Sequence, residues 1–225
     1  MNIVIGLIGP KTCGKSTVTN ILSEFYNVRE AALADKLKNV SAEVFGLRRE
    51  QLDRQDMKEV DFEEPKELTA ERISKVLEGF GVNSNSFKVP VLMQTYLEFY
   101  KPITGRMLRS PREVAQIIGT EILRFVDKDI HCKNVRISSD SFTVVSDVRF
   151  SNEYAYFNDL GNVKFIPIYI QRDVAEAQVK PDSHISEREF MDFRDKCFKV
   201  DNNGDLKDTE RQVKQIVDKV LYGGK

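Results

Sequence analysis

The chain has 225 residues, with 34 Lys and Arg against 35 Asp and Glu, a formal net charge of −1, and 41% hydrophobic residues. That balance removes the electrostatic case for a nucleic-acid-binding protein, which carries a clear basic excess, while leaving room for a local basic pocket for a small anion. Composition also excludes a disordered chain, a collagen repeat and a disulfide scaffold, and the length suits one domain with an insertion.

Ile3 to Ile8 is a short, β-branched apolar run ended by Gly9-Pro10 and reads as a buried strand. It is far shorter than the roughly 20 residues of a membrane span and has neither a basic leader nor a small-residue cleavage site. Cys13, Cys132 and Cys197 are odd in number, far apart and without C-x-x-C spacing, as in a reducing compartment. A soluble, cytoplasmic protein without a membrane partner is therefore expected.

From Lys15, the residues Val18, Ile21, Leu22 and Phe25 repeat at helical spacing. Ala31 to Ala34 is strand-like. The helix after it carries Leu33, Leu37, Val40 and Val44 on one face and stops near Gly46. Residues 47 to 68 are dominated by charge and read as exposed helix and loop; Arg54 and Lys58, four apart, are candidates to grip an anion together. Thr69 can cap a helix bearing Ile73, Val76, Leu77 and Phe80, and residues 81 to 90 read as a polar, mobile loop.

Ser110-Pro111-Arg112-Glu113 is a capping box with proline at the first helical position, and Val114, Ile117, Ile118 and Ile122 supply the buried face. Gly119 interrupts that helix at an energetic cost, which implies close approach of a ligand or a neighbouring helix. Phe142 to Ser146 is a second buried strand ending at Asp147, followed by a short helix that stops at Gly161. Val163 to Ile170 is a third strand, which Pro167 weakens or moves to an edge. Cys197 to Val200 is a fourth, turned by Asp201-Asn202-Asn203-Gly204, and the last helix shows Val213, Ile216, Val217 and Val220. Strands alternating with helices predict an α/β fold with a mainly parallel sheet.

Gly9-Pro10-Lys11-Thr12-Cys13-Gly14-Lys15-Ser16 matches the phosphate-binding loop pattern in full, after a buried strand and at the start of an amphipathic helix. Glycines let backbone N–H groups converge on phosphate oxygens, and the helix N-terminus adds positive potential. Lys15 can reach the β- and γ-phosphates, the Ser16 hydroxyl can bind Mg²⁺, and Thr17 can serve the α-phosphate or pack. Cys13 is a small residue facing away from phosphate or, less simply, a redox-sensitive thiol.

Asp147 stands at the carboxyl end of a predicted strand, where ligands bind in open α/β sheets. It can hold Mg²⁺ through water or cap the next helix. Arg149, two residues on, can reach a phosphate. Arg112 lies in the first turn of a capped helix, where an anion is doubly attracted. Lys36 and Lys38 lie near another helix start; phosphate contact suits one of them, and Lys38 reads better as a solvated charge. Arg172 and Arg188 flank a polar segment with the look of a lid. His131 and His184, the only histidines, share no spacing that suggests a metal site.

Gly9 to Ser16, Ser110-Pro111-Arg112 running to Ile118-Gly119-Thr120-Glu121, Asp147-Val148-Arg149-Phe150-Ser151-Asn152-Glu153 and Asp182-Ser183-His184-Ile185-Ser186-Glu187 occur in that order. In this the chain resembles the deoxynucleoside monophosphate kinases of large tailed bacteriophages, T-even and T5-like, over nearly its whole length. The resemblance implies a three-layer P-loop kinase fold in a single domain, with a helical acceptor-binding insertion near 47–110 and a lid near 172–194. It implies transfer of the γ-phosphoryl group of ATP to a deoxynucleoside 5′-monophosphate with Mg²⁺, and a homodimer. It assigns Gly14, Lys15, Ser16 and Thr17 to ATP. The residues themselves add Gly9 and Thr12 to that site, Ser16 and Asp147 as candidates for the metal, and Lys15, Asp147, Arg149 and Arg172 (or Arg188) for catalysis. Lys36, Arg112, Gly119, Thr120, His131, Asp147, Arg149 and Glu153 fall on the acceptor side; His131 stands where some relatives carry an aromatic residue. Two other readings stay open: a different small-molecule kinase, such as one acting on dephospho-coenzyme A or a sugar, and a nucleotide-dependent switch protein.

Overall fold

The computed structural model describes residues 1–82 and 100–223; most of the predicted loop at 81–90 lies outside them. The chain divides into two compact units, one of Met1–Leu33 together with the chain from Asn134 on, the other of Ala34–Lys133.

The first unit opens with β1 (Asn2–Ile8), α1 (Lys15–Phe25) and β2 (Val28–Ala31). The strand-like segment expected at 31–34 lies earlier, because β2 is an edge strand with the solvated pair Arg29 and Glu30 at its centre. The second unit then supplies α2 (Asp35–Phe45), α3 (Arg49–Asp53), β3 (Lys66–Glu67), α4 (Ala70–Gly79), β4 (Met107–Leu108) and α5 (Pro111–Gln116). A π-helical stretch, Ile117–Leu123, and a last turn, Arg124–Val126, prolong α5, and α6 (Ile130–Lys133) ends the unit. The first unit resumes with β5 (Phe142–Val148), α7 (Ser151–Asp159), β6 (Val163–Gln171), a helical turn at Asp173–Glu176, three 3₁₀ turns between Ile185 and Lys196, β7 (Phe198–Asp201) and α8 (Leu206–Tyr222).

The helix boundaries have local causes. Gly46 ends α2 in the left-handed conformation, φ 63°. Thr69 Oγ1 accepts the Arg72 N–H at the start of α4, and an Asp205 carboxylate oxygen accepts the Asp208 N–H at the start of α8. Ser110 Oγ accepts the Glu113 N–H at 3.2 Å. The return bond to Glu113 Oε2 comes from the Arg109 N–H, at 2.7 Å, one residue earlier than a capping box requires.

β1, β2, β5, β6 and β7 form one parallel sheet in the order β2-β5-β1-β6-β7. Ile5, Leu7, Val144, Ile166, Ile168 and Ile170 face Val18, Ile21 and Leu22 of α1 and Val213 and Val217 of α8. On the opposite face Phe165 packs edge-on to Tyr154 and tilted against Phe157 of α7. The fold is mixed α/β, with helices on both faces of a parallel sheet. Pro167 corrects one expectation. It is buried in an interior strand beside Gly6, and it fits because the β7 ladder begins one residue later, at Ile168 opposite Phe198. Phe25, on the predicted apolar stripe, is exposed, with the Lys214 ammonium 3.8 Å from its ring centre. The second unit has its own core, including Leu37, Val40, Phe45, Ile73, Leu77, Val114 and Ile118. Among the described residues no helix is long and apolar enough to cross a membrane.

Gly6 is closely covered by side chains of the strands on either side: a Cβ there would stand 2.8 Å from the Phe165 ring of β6 and 3.2 Å from Val148 of β5. Because that ring is fixed by Tyr154 and Phe157, Gly6→Ala is expected to destabilise the protein by about 1–3 kcal/mol in urea unfolding, whereas unchanged stability would show that this face is loosely packed.

Candidate active site

All five strands of the large sheet run parallel, so their carboxyl ends share one edge, where ligands bind in such folds. The residues that follow β1, β5, β6 and β7 there are the phosphate-binding loop, Arg149, Arg172 and Asn202.

The loop's backbone takes conformations that side chains resist: φ is 145° at Gly9, 65° at Thr12 and 107° at Gly14. A Cβ on Gly9 would meet Cys13 Sγ at 2.7 Å and the Ile170 carbonyl at 2.9 Å. Cys13 is fully buried in the sheet–helix core, and burial pushes its thiol pKa up, which supports a packing role over a redox one. The Lys15 ammonium donates to the carbonyls of Gly9 and Pro10, at 2.9 and 2.7 Å, and reaches Cys13 Sγ at 3.7 Å. None of these partners is an anion. Burial pulls the Lys15 pKa down; Cys13 opposes the shift, Arg149 adds to it, and Glu187 opposes it. A desolvated cation inside a ring of glycine-permitted backbone suits the oxygens of a polyphosphate. Ser16 and Thr17 occupy the first turn of α1, Ser16 exposed and Thr17 half-buried, beside N–H groups that an anion can satisfy.

Arg149 Nη1 lies 3.3 Å from Glu187 Oε1 and 3.4 Å from the Ser186 carbonyl. Arg149 thereby joins the end of β5 to the first 3₁₀ turn of the segment read as a lid, and the charges of Arg149 and Glu187 both act on Lys15. A second carboxylate, Glu189, accepts the Ser151 N–H at 2.9 Å and ties that segment to α7. Arg172 Nη1 reaches the Thr12 carbonyl at 3.3 Å, so it lies against the loop's backbone.

The two acidic residues of the D-V-R-F-S-N-E segment have separate tasks. Asp147 Oδ1 accepts the Leu33 N–H at 2.7 Å and binds the end of β2 to β5. The cap of α7 is Glu153, only 2% exposed, whose Oε2 accepts the N–H groups of Arg149 and Phe150 at 2.7 and 3.1 Å. Helix capping, offered for Asp147 by the sequence, thus belongs to Glu153, which in doing so fixes the backbone beneath Arg149. Among the described residues no three His, Cys, Asp or Glu side chains are placed to hold a metal ion. Mg²⁺ needs no such cluster when phosphate oxygens and water supply most of its ligands, and the exposed Ser16 hydroxyl fits that mode.

In the helical unit, Lys36, Gly119 and His131 come together. The Lys36 ammonium lies 5.0 Å from the Phe80 ring centre, and His131 meets the same ring edge-on at 6.0 Å. His131 is 5% exposed, with Nε2 3.2 Å from the Gly119 carbonyl. A Cβ on Gly119 would stand 2.8 Å from Leu37 Cδ2, so the close approach inferred from this glycine is that of helix α2. Arg112 is elsewhere in the unit: its N–H donates to the Lys58 carbonyl at 2.9 Å and its Nε lies 2.6 Å from Glu59. Thr120 is half-buried in the π-helical stretch. Lys38 pairs with Asp53 at 2.8 Å. Arg54, past the end of α3, is bound by Asp56 through both Nε and Nη2, and its carbonyl accepts the Lys58 N–H at 3.1 Å.

Sequence reasoning missed Glu187 as the partner of Arg149, Phe80 as the ring between Lys36 and His131, and Asn202, whose amide donates to the Cys13 carbonyl at 2.8 Å. The Asn-Asn-Gly run signalled a turn there, and nothing local signals a bond across 189 positions.

Comparison with known proteins gives this site a family. The profile for deoxynucleotide monophosphate kinases matches residues 3–213. The chain belongs to that family. It is 26% identical over 221 residues, 96% of each chain, to a protein of Acanthamoeba polyphaga mimivirus provisionally named a deoxynucleotide monophosphate kinase. Among solved structures it is similar to dephospho-CoA kinase from Campylobacter jejuni, at 13% identity and a TM-score of 0.36 with 96% of both chains covered. The protein is a nucleotide kinase, a phosphotransferase.

The half-buried Lys15 has a pH signature. With its folded pKa below the ordinary 10.5, the unfolded chain binds the extra proton between the two values, so stability rises with pH in that window. Lys15→Met is expected to remove this rise: its stability advantage over the parent, measured by urea unfolding from pH 7 to 10.5, shrinks as pH increases. A constant difference would show that Lys15 is ordinarily hydrated.

Proposed function

We propose that this kinase transfers the γ-phosphoryl group of ATP to the 5′-phosphate of a deoxynucleoside monophosphate, giving the diphosphate and ADP. The observation that carries the reading is the desolvated Lys15 ammonium inside the phosphate-binding loop, with the charge of Arg149 acting on it. Phosphoryl transfer asks little covalent chemistry of a protein; it needs two phosphates held in line and their charge neutralised.

In this reading the loop N–H groups and Lys15 hold the β- and γ-phosphates, while Thr17 borders the α-phosphate. Ser16, and Asp147 through water, would hold Mg²⁺, which would supply neutralisation of the phosphate charge. Arg149 exchanges Glu187 for the acceptor phosphate; a carboxylate is a fair stand-in for a phosphate dianion, and the contact lengths of 3.3 and 3.4 Å leave it easy to release. Arg172, already against the loop at Thr12, covers the transferring group, and the segment near 172–194 excludes water when it closes. In the helical unit Arg112 and Thr120 are our candidates for the acceptor and Lys36 for its charge, with Gly119 and His131 beside Lys36 at the Phe80 ring.

The test is steady-state turnover with ATP, Mg²⁺ and each of dAMP, dGMP, dCMP, dTMP and hydroxymethyl-dCMP in turn, with ADP and diphosphate followed together by chromatography. Diphosphate from at least one acceptor is expected. Lys15→Ala is expected to lower kcat by about 10²–10³-fold, the cost of losing a preorganised charge-stabilising donor. Arg149→Ala is expected to raise the acceptor KM by about 10–100-fold, as befits a charge-assisted hydrogen bond. Near-normal turnover by Lys15→Ala would remove the loop from the chemistry. ADP without diphosphate from any acceptor would make the protein a hydrolase in this assay.

A further inference from the structure

The loop between β7 and α8 carries a side chain on which the phosphate-binding loop rests. Asn202 Nδ2 donates to the Cys13 carbonyl at 2.8 Å, and Asn202 Oδ1 accepts from Thr209 Oγ1 at 2.9 Å. The Asn202 backbone N–H donates to the Gln171 carbonyl at 2.9 Å, fixing the residue to the end of β6. Thr209 is fully buried in the first turns of α8, where its hydroxyl also reaches the Asp205 carbonyl at 3.2 Å. Only one orientation of the amide satisfies both ends; turned over, its oxygen would face the Cys13 carbonyl, acceptor against acceptor.

The consequence lies in the Cys13–Gly14 peptide. That peptide is planar and trans, so its C=O and N–H point in opposite directions. Tying the carbonyl to Asn202 directs the Gly14 N–H away from the β7–α8 loop, and this N–H has no acceptor among the described residues. Gly14 itself is shaped to the contact: φ is 107°, and a Cβ would stand 2.2 Å from Asn202 Nδ2. The second glycine of the motif is thus required by Asn202 as well as by its own backbone angle.

We infer that Asn202, oriented by Thr209, is a positioning residue that fixes the Cys13–Gly14 peptide so that the Gly14 N–H is presented to a polyphosphate. The inference rests on reading the loop as the ATP site. It couples the geometry of that site to the first turns of α8, distant in sequence.

The experiment compares the parent with Asn202→Ala, Thr209→Val and Thr209→Ser. The readouts are ATP and inorganic tripolyphosphate binding by calorimetry, kcat and both KM values, and thermal unfolding. Asn202→Ala and Thr209→Val are each expected to weaken ATP and tripolyphosphate binding by up to about tenfold, the worth of one hydrogen bond, with the acceptor KM unchanged. Thr209→Ser, which keeps the hydroxyl, restores the parent's values. Equal weakening toward ATP and acceptor, or a Thr209→Ser that behaves like Thr209→Val, would reduce the contact to general stability and overturn the inference. So would parent-like ATP binding in a folded Asn202→Ala. A parent that binds ATP but phosphorylates no acceptor would sink the proposed reaction while the binding losses still upheld Asn202. A parent that binds neither ATP nor tripolyphosphate would end both.

Discussion

A cation half withdrawn from water and held by carbonyls rather than by a paired carboxylate is costly, and the Lys15 ammonium, on Gly9 and Pro10, is in that position. The first unit is arranged around this cost. Gly9 and Pro10 turn their carbonyls onto the ammonium, Thr12 and Gly14 hold left-handed backbone, and Cys13 fills the space beneath. Arg149 adds to the local positive charge and Glu187 partly offsets it. A polyphosphate relieves all of this at once, because its oxygens supply the missing counter-charge and satisfy the open N–H groups at the start of α1.

The sheet makes this arrangement available. With β1 central and every strand parallel, the residues after β1, β5, β6 and β7 are delivered to one edge from four separate parts of the chain. Each is then secured by a contact of its own: Arg149 by the Glu153 cap beneath its backbone, Arg172 by Thr12, and the loop by Asn202. Positioning by rigid elements rather than by one long loop suits a reaction whose catalysis is mostly alignment.

Features set by nearby residues were legible in the sequence. The strand–loop–helix of residues 2–25 is specified by consecutive residues, and the starts of α4 and α5 by the side chains of Thr69 and Ser110. Features that depend on distant partners were not. Pro167 reads as an edge residue until the late start of the β7 ladder is known, and Phe25 reads as core until Lys214 is found over it. Asp147 reads as a possible helix cap until the Leu33 N–H is found on it and Glu153 is found at the start of α7. Gly119 announced a close approach but not its source, Leu37. Asn202 gave no signal beyond a turn. Around the P-loop, local motifs were therefore legible while the distant partners of their side chains were not.

The central claim is that phosphate held at Lys15 passes directly to a second nucleotide and not to water. It is tested most directly by a single turnover with ATP labelled at the γ-phosphate, Mg²⁺ and a mixture of deoxynucleoside monophosphates, with products separated as label is consumed. The account predicts that the label leaves ATP for the β-position of a deoxynucleoside diphosphate, with little in inorganic phosphate. Label recovered as inorganic phosphate, or retained in ATP although ATP is bound, would contradict it.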